Sequence, residues 1–355
     1  MNLLLFNLAL DADDPILNFT TRWVNRLAQF YDRIDVITMR AGRVEVEPNV
    51  CVHSVGKEKG YGEARRAIEF YSILAQLLRE RHYDACFAHM MPLFAVMGAP
   101  LLRLVHTPIT LWYTHRSAHR ILQLATAVSA RVVTAAPDSF PLKTDKLRVI
   151  GHGIDTDFFT PIALMDESRP HHFDAPCIVQ VARLMPIKRQ ADVIRALPDV
   201  PGAQAVFVGD VPPDVDPSYR DQLEALARDL GVTERVTFAG NQPPNIVHTW
   251  NLRASVAINL SPPGLFDKAV LEAMSCAVPT LVINPAFDPL LGEYANRLRI
   301  DSPDQLAPRL RDLLALSDLE RRKIGMILRE RVVAAHSLDG LIERLVRILN
   351  TGEPV

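Results

Sequence analysis

Residues 255–274 read SVAINLSPPGLFDKAVLEAM, from Ser255 to Met274. An apolar run of strand length stops at Pro262, Pro263 and Gly264. A helical pattern, KAVLEAMSC, starts at Lys268. Proline cannot donate to a sheet ladder, so the pair ends the strand. Glycine then lets the chain turn. A buried strand running directly into a helix is half of a βαβ unit. In an open α/β sheet, the loop between the two lies where ligands bind.

The same alternation extends outward in both directions. Upstream, CIVQVAR (177–183), AQAVFVGD (203–210) and RVTFAG (235–240) read as strands. Between them RQADVIRAL (189–197), YRDQLEALARDLG (219–231) and NIVHTWN (245–251) read as helices. Downstream, PTLVIN (279–284) adds a strand, and from Pro303 the chain is almost all helical. The first half repeats the scheme from the strand NLLLFNLAL (2–10) to KLRVIGHG (146–153). Its helix at 19–32 carries Phe19, Trp23, Leu27 and Phe30 on one face. Strands and helices alternating at these lengths predict an α/β fold, with two Rossmann-like doubly wound domains facing a cleft. Residues 155–175, rich in proline, histidine and acids, interrupt the pattern and read as a linker. The domains are therefore expected at 1–165 and 166–337.

A chain of 355 residues fits two cores better than one. Hydrophobic residues make up 48% and charged residues 23%, as in an ordinary soluble enzyme. The net charge of −2 lacks the basic excess of a nucleic-acid binder. Cys51, Cys86, Cys177 and Cys276 form no C-x-x-C pair and read as buried thiols of a reducing compartment. The apolar start has no basic residue ahead of it and acids behind it, unlike a signal peptide. MMPLFAVMGAPLL (90–102) is too short to span a bilayer. A cytoplasmic protein is expected, with peripheral contact at the inner face of a membrane left open. Arg65, Arg66, Arg79 and Arg81 share a helix with Glu63, Glu69 and Glu80, which reads best as a solvated face. His115 and His119 stand four apart but lack the other ligands of a zinc site. His171 and His172 fall in the linker, and Met90, Met91, Trp112 and Tyr113 read as core.

No G-x-G-x-x-G and no P-loop follows a strand in either half, against a dinucleotide or P-loop site. Instead Arg183 and Lys188 follow the first strand of the second domain. Two cations there suit a diphosphate, the bland alternative being surface charge. The helix from Lys268 offers free N–H groups to phosphate. Glu272, in its first turns, suits a ribose diol or merely balances the helix dipole.

These residues, in this order, resemble the GT-B-fold retaining glycosyltransferases of family 4 (glycosyl transferases group 1). VARLMPIKRQADVIRAL, AVFVGD, RVTFAG and INLSPPGLFDKAVLEAMSCAVPTLV are similar to that family's donor domain. YDACFAH, PITLWYTH and KLRVIGHGIDTDFFTP resemble its acceptor domain and hinge. The resemblance implies that Arg183 and Lys188 bind and stabilise the leaving diphosphate and that Glu272 binds ribose. Backbone groups of Leu265, Phe266, Ala269 and Val270 would hold sugar and phosphate oxygens, and those near Gly240 and Asn241 would meet the base. His115 would lie near the transferred sugar. It also implies that a terminal helix, 338–355, packs back on the first domain. There Leu341, Leu345, Ile348 and Leu349 share one face.

Two departures stand out. The family usually carries a glutamate where this chain has Gly264. Asp267 and Lys268 replace a common glycine–hydrophobic pair, either to touch sugar hydroxyls and phosphate or only to cap and solvate the helix start. The family's glycine-rich loop is here DADDPILN. Its Asp11, Asp13 and Asp14 are candidates for acceptor hydroxyls, against a solvated N-cap region. His152, between two glycines, is either a turn residue or a contact of the cleft.

The expected function is transfer of a hexose-type sugar from a UDP- or GDP-sugar to a hydroxyl acceptor with retention, in glycan or glycolipid synthesis. The acceptor is a glycan, a lipid-linked glycan or a small molecule. The reaction requires no cofactor, and no metal if Arg183 and Lys188 supply the charge. The alternatives are a non-catalytic nucleotide-sugar-binding protein and a sugar-nucleotide epimerase on the same scaffold.

Overall fold

A computed structural model of the chain describes residues 1–14, 17, 19–161 and 175–352. It divides into two compact units, Met1–Gly153 with Leu338–Val355, and Ile154–Ser337. The first contains β1 (Asn2–Leu10), α1 (Phe19–Ala28), β2 (Arg33–Ala41), β3 (Val50–Ser54), α2 (Glu63–Glu80) and β4 (Ala85–His89). It continues with α3 (Pro92–Leu104), β5 (Ile109–Trp112), α4 (Arg120–Val128), β6 (Arg131–Thr134) and β7 (Leu147–Val149). The second contains β8 (Cys177–Val181), α5 (Gln190–Ala196), β9 (Gln204–Val208), α6 (Tyr219–Asp229), β10 (Val236–Gly240) and α7 (Pro244–Arg253). Then follow β11 (Val256–Asn259), α8 (Lys268–Ser275), β12 (Thr280–Val282), α9 (Asp288–Leu291), α10 (Ala295–Leu298), α11 (Leu306–Leu314) and α12 (Asp318–His336). The terminal helix α13 (Leu338–Thr351) returns to the first unit.

Each unit is built on one sheet with parallel ladders, in the orders β3-β2-β1-β4-β5-β6-β7 and β10-β9-β8-β11-β12. Parallel strands covered on both faces read as continuous apolar runs, which is what the sequence shows. In β1, Leu3 and Leu5 enter one core while Leu4 and Phe6 enter the other. In β9, Ala205 and Phe207 face the main core of the second unit, and Val206 and Val208 face a smaller one beneath α7. In both sheets the strand order reverses direction once, at β1/β4 and at β8/β11. These are the switch points where such sheets bind ligands.

Three details differ from the sequence reading. The chain enters the second unit at Ile154 rather than after 165, because the Ile154 amide donates to the His336 carbonyl at 2.8 Å and Phe158 and Phe159 pack on the second core. Residues 162–174, with His171 and His172, lie outside the described residues. Phe30 is 44% exposed, since α1 ends at Ala28 and Phe30 leaves its apolar stripe. Cys51, on the edge strand β3, is only partly buried. All four cysteines are free.

The apolar face of α13, with Leu341, Leu345, Ile348 and Leu349, enters the first unit's core beside Trp23, Val24 and Leu27. Arg131 donates to the Ile348 carbonyl at 2.9 Å. Among the described residues no helix is long and apolar enough to cross a membrane.

In the second unit, Arg329 on α12 donates to the carbonyls of Thr156 (3.1 Å), Phe159 (3.0 Å) and Ser275. Ser275 is the last residue of α8, so a cation sits where the helix dipole favours one. Arg329→Ala is expected to destabilise this unit by about 3 kcal/mol, because charge-assisted bonds to three carbonyls are lost together. Lysine at 329 recovers only part, lacking the guanidinium fork. Urea denaturation of the two variants measures both effects.

Candidate functional site

The switch point of the second unit gathers the sequence-predicted donor residues. Arg183 and Lys188 follow β8. Its sheet neighbour β11 leads through Ser261 and the 262–267 loop into α8. Asn284, fully buried, donates to the Leu265 carbonyl at 3.0 Å and so fixes that loop. Phe266 stacks on Phe287 with ring centroids 4.4 Å apart. Gly264 has φ +87°, a conformation that favours glycine. The position where the family usually carries glutamate is thus a backbone turn in this chain.

Lys188 does not stand open to a ligand, as the sequence led one to expect. It sits in a tight turn, Pro186–Lys188, with its side chain only 10% exposed. Its ammonium reaches Ser261 Oγ at 2.9 Å and the Asp267 oxygens at 2.9 and 2.7 Å. Asp267 also accepts from Asn259 Nδ2 at 2.8 Å and from the Ser261 hydroxyl. Its carboxylate, 23% exposed, makes no cap bond to α8. The physical reason is local: an ammonium this enclosed needs a counter-charge, and Asp267 is within reach.

Arg183 is exposed, and its side chain has no hydrogen bond or ion pair among the described residues. Its carbonyl accepts from Gln190. Lys268 opens α8 and lies 3.6 Å from Glu272, whose side chain is 15% exposed. A lysine in the first turn adds positive charge to the positive end of the helix dipole, the less stable arrangement. Asp267 is thus paired with Lys188 and Lys268 with Glu272, so the four side chains balance in charge at the start of α8. Ala269 is half-buried and Val270 buried, and the Val270 amide bonds to the Asp267 carbonyl at 3.2 Å. At the end of β10, the Gly240 carbonyl accepts from the Gly209 amide at 2.8 Å, and Asn241 is exposed.

The remaining candidates lie in the first unit. Asp11, Asp13 and Asp14 follow β1 at its switch point, but their carboxylates are engaged. Asp13 forms a two-pronged pair with Arg43 at 2.7 and 2.8 Å, Asp14 pairs with Arg40, and Asp11 accepts from the amides of Asp13 and Arg43. The Arg43 hydrogen bond lowers the pKa of Asp13. His115 is exposed after β5, with Nδ1 accepting from the Ser117 amide at 3.0 Å. His119 caps α4 in the same way, through Leu122. His152 follows β7 and is half-buried.

Sequence reasoning missed Asn259, Ser261 and Asn284. A signal for the first two was present: polar residues two apart at the end of an apolar strand fall on one face.

The comparisons with known proteins agree with this picture. Residues 165–327 match the model of glycosyl transferases group 1, and residues 18–158 match that of glycosyltransferase family 4. A D-inositol 3-phosphate glycosyltransferase of Acidothermus cellulolyticus is 29% identical over 157 residues, which are 41% of this chain and 34% of that protein. A GDP-mannose-dependent alpha-(1-6)-phosphatidylinositol monomannoside mannosyltransferase of Mycobacterium tuberculosis is 28% identical over 221 residues, 57% of this chain and 55% of that one. The matches thus span from 34% to 55% of the length of these curated relatives. Among solved structures, Anabaena HepE in complex with UDP and glucose has a TM-score of 0.75 at 16% identity, covering 99% of this chain and 100% of that one. Sucrose-phosphate synthase of Thermosynechococcus elongatus has a TM-score of 0.75 at 17% identity, covering 98% of each. At these identities the likeness is one of fold. With two parallel-sheet units of this topology and family models matching both, the chain belongs to the GT-B glycosyltransferases of group 1.

Proposed function

We propose that the chain transfers a hexose-type sugar from a UDP- or GDP-sugar to a hydroxyl acceptor, with retention, in glycan or glycolipid synthesis. The second unit binds the donor and the first supplies the acceptor side. The observation that carries this reading is the β8/β11 switch point, where the exposed Arg183 follows β8 and α8 starts after β11. Cleaving the bond between the anomeric carbon and the diphosphate leaves negative charge on the leaving group. Fixed cations and N–H groups aimed at that charge lower the barrier. Arg183, Lys268 and the first amides of α8 are the groups proposed to hold the diphosphate, and on this reading no metal is required. Glu272 is the proposed ribose ligand, and the backbone near Gly240 and Asn241 meets the base. His115 and His152 are the first unit's candidates for sugar and acceptor contact. Retention is proposed from the resemblance to the retaining enzymes of family 4.

A thermal-shift screen against UDP, GDP, ADP and their sugar conjugates tests the reading. At a hundred times its dissociation constant, a bound nucleotide adds about 2.7 kcal/mol of stability. One nucleotide diphosphate is expected to stabilise the protein, and Arg183→Ala is expected to lose most of that response. No response from any of them would sink the reading.

The turn at Gly264 favours one second reading, a nucleotide-sugar-binding protein without transferase activity. Slow release of nucleotide diphosphate from the donor, without acceptor, separates the two: a transferase leaks and a binder does not.

A further inference from the structure

A buried side-chain amide must find its partners inside the protein, a demand that an apolar side chain of the same size does not make. The connection from β8 to α5 nevertheless has a buried glutamine at each end. Gln180 lies on β8, and Gln190 opens α5. Each donates to the carbonyl of a loop cation. Gln180 Nε2 reaches the Lys188 carbonyl at 2.7 Å, and Gln190 Nε2 reaches the Arg183 carbonyl at 2.9 Å. The peptide plane that follows Arg183 is therefore held at both ends, because its N–H, on Leu184, donates to the Asp210 carbonyl at 2.9 Å. The plane before Arg183 is pinned by packing: a Cβ on Gly209 would stand 2.1 Å from the Ala182 carbonyl oxygen. With both planes fixed, so are the two backbone dihedrals of Arg183. Its side chain, by contrast, is exposed.

We propose that Gln190 is a positioning residue for Arg183. Its buried amide holds the Arg183 carbonyl, so the long side chain starts from one backbone position. The guanidinium fork then meets an anion without the loop having to be ordered first. The consequence for binding rests on the reading of Arg183 as a diphosphate ligand, and the fixing of the backbone does not. Without the Gln190 donor, the plane after Arg183 is held only at its N–H end, and its carbonyl is left unpaired.

The test uses Gln190→Met, which keeps the size of the side chain and removes the donor, in the full chain with and without Arg183→Ala. Backbone order parameters from NMR relaxation need no nucleotide. At Arg183 and Leu184 they are expected to fall from the rigid value of about 0.85 to about 0.7 or lower, with β9 and β11 unchanged. Unchanged values, or an equal fall across the whole unit, overturn the proposal. The second readout is the dissociation constant for UDP and GDP by calorimetry, at a temperature where every variant is folded. Gln190→Met alone is expected to weaken binding about fivefold, the cost of ordering the loop on binding. In the Arg183→Ala background the same substitution is expected to change binding by less than about twofold, since the residue it acts through is gone. A full fivefold loss in that background would mean that Gln190 does not act through Arg183, and the proposal would fall. Should Gln190→Met not fold, Gln190→Asn, whose amide stops one methylene short, is read in the same way, with the same outcomes for and against. If wild type binds neither nucleotide, the donor-site reading fails, while the order parameters still decide whether Gln190 fixes the loop.

Discussion

Asp35→Ala is expected to lower the stability of the first unit by about 3–5 kcal/mol, the cost of removing one partner from a buried charged cluster. Asp35 lies on β2 and is fully buried. Its carboxylate accepts from Arg33 (3.1 Å) and from the hydroxyl of Tyr83 (2.8 Å), which is itself fully buried. His53 Nε2 lies at 3.2 Å and Arg81 at 3.7 Å. Alanine leaves the Tyr83 hydroxyl unpaired in a dry core and takes the counter-charge from two arginines. Asp35→Asn keeps the shape and some of the bonds, so a smaller loss is expected. Urea titration followed by tryptophan fluorescence reads this unit in a Trp250→Phe background, because Trp23 and Trp112 both lie in its core and Trp250 lies in the second unit.

The same cluster sets an acid limit. Burial works to raise the pKa of Asp35, but hydrogen bonds from His53, Arg33 and Tyr83 outweigh it and hold the carboxyl well below the usual range. A depressed folded pKa stabilises fully above the unfolded value, near 3.9, and that contribution fades as pH falls toward the folded pKa. Wild type is therefore expected to lose stability below about pH 5, and Asp35→Asn to show a flatter acid limb. Equal slopes in the two proteins would remove Asp35 from the account.

Gly325→Ala is the second large effect. Gly325 lies in α12, where a Cβ would stand 1.8 Å from the Ala277 carbonyl oxygen and 2.4 Å from its carbon. Neither is the tip of a flexible side chain that can move aside. Ala277 is in the turn after α8 and already has φ +59°. The helices must part, and the cost is expected at or above the top of the usual overpacking range, about 3 kcal/mol. Because α8 carries Lys268 at its other end and Glu272 one turn along, nucleotide affinity is expected to fall with stability. A denaturation midpoint matching wild type would show that α12 shifts freely, against the close contact seen here.

The sequence by itself determined the elements and the class of fold. Apolar runs of strand length alternating with 3.6-periodic helices are local patterns, and Pro262, Pro263 and Gly264 end a strand whatever surrounds them. Positions 183, 188, 267, 268 and 272 were legible for the same reason: the ends of strands in an open sheet are where ligand-binding residues fall. Tertiary structure alone decided what those residues do to one another. Lys188 and Asp267 are 79 positions apart, and only the adjacency of β8 and β11 brings them together. The acids after β1 were legible as a cluster, but their pairing with Arg40 and Arg43 follows from the parallel ladder of β1 with β2. A residue's type and spacing tell which charge it carries and which end of a strand it occupies. Whether that charge meets a ligand or a neighbour depends on the chain folded against it, because an enclosed charge binds whichever counter-charge is in reach.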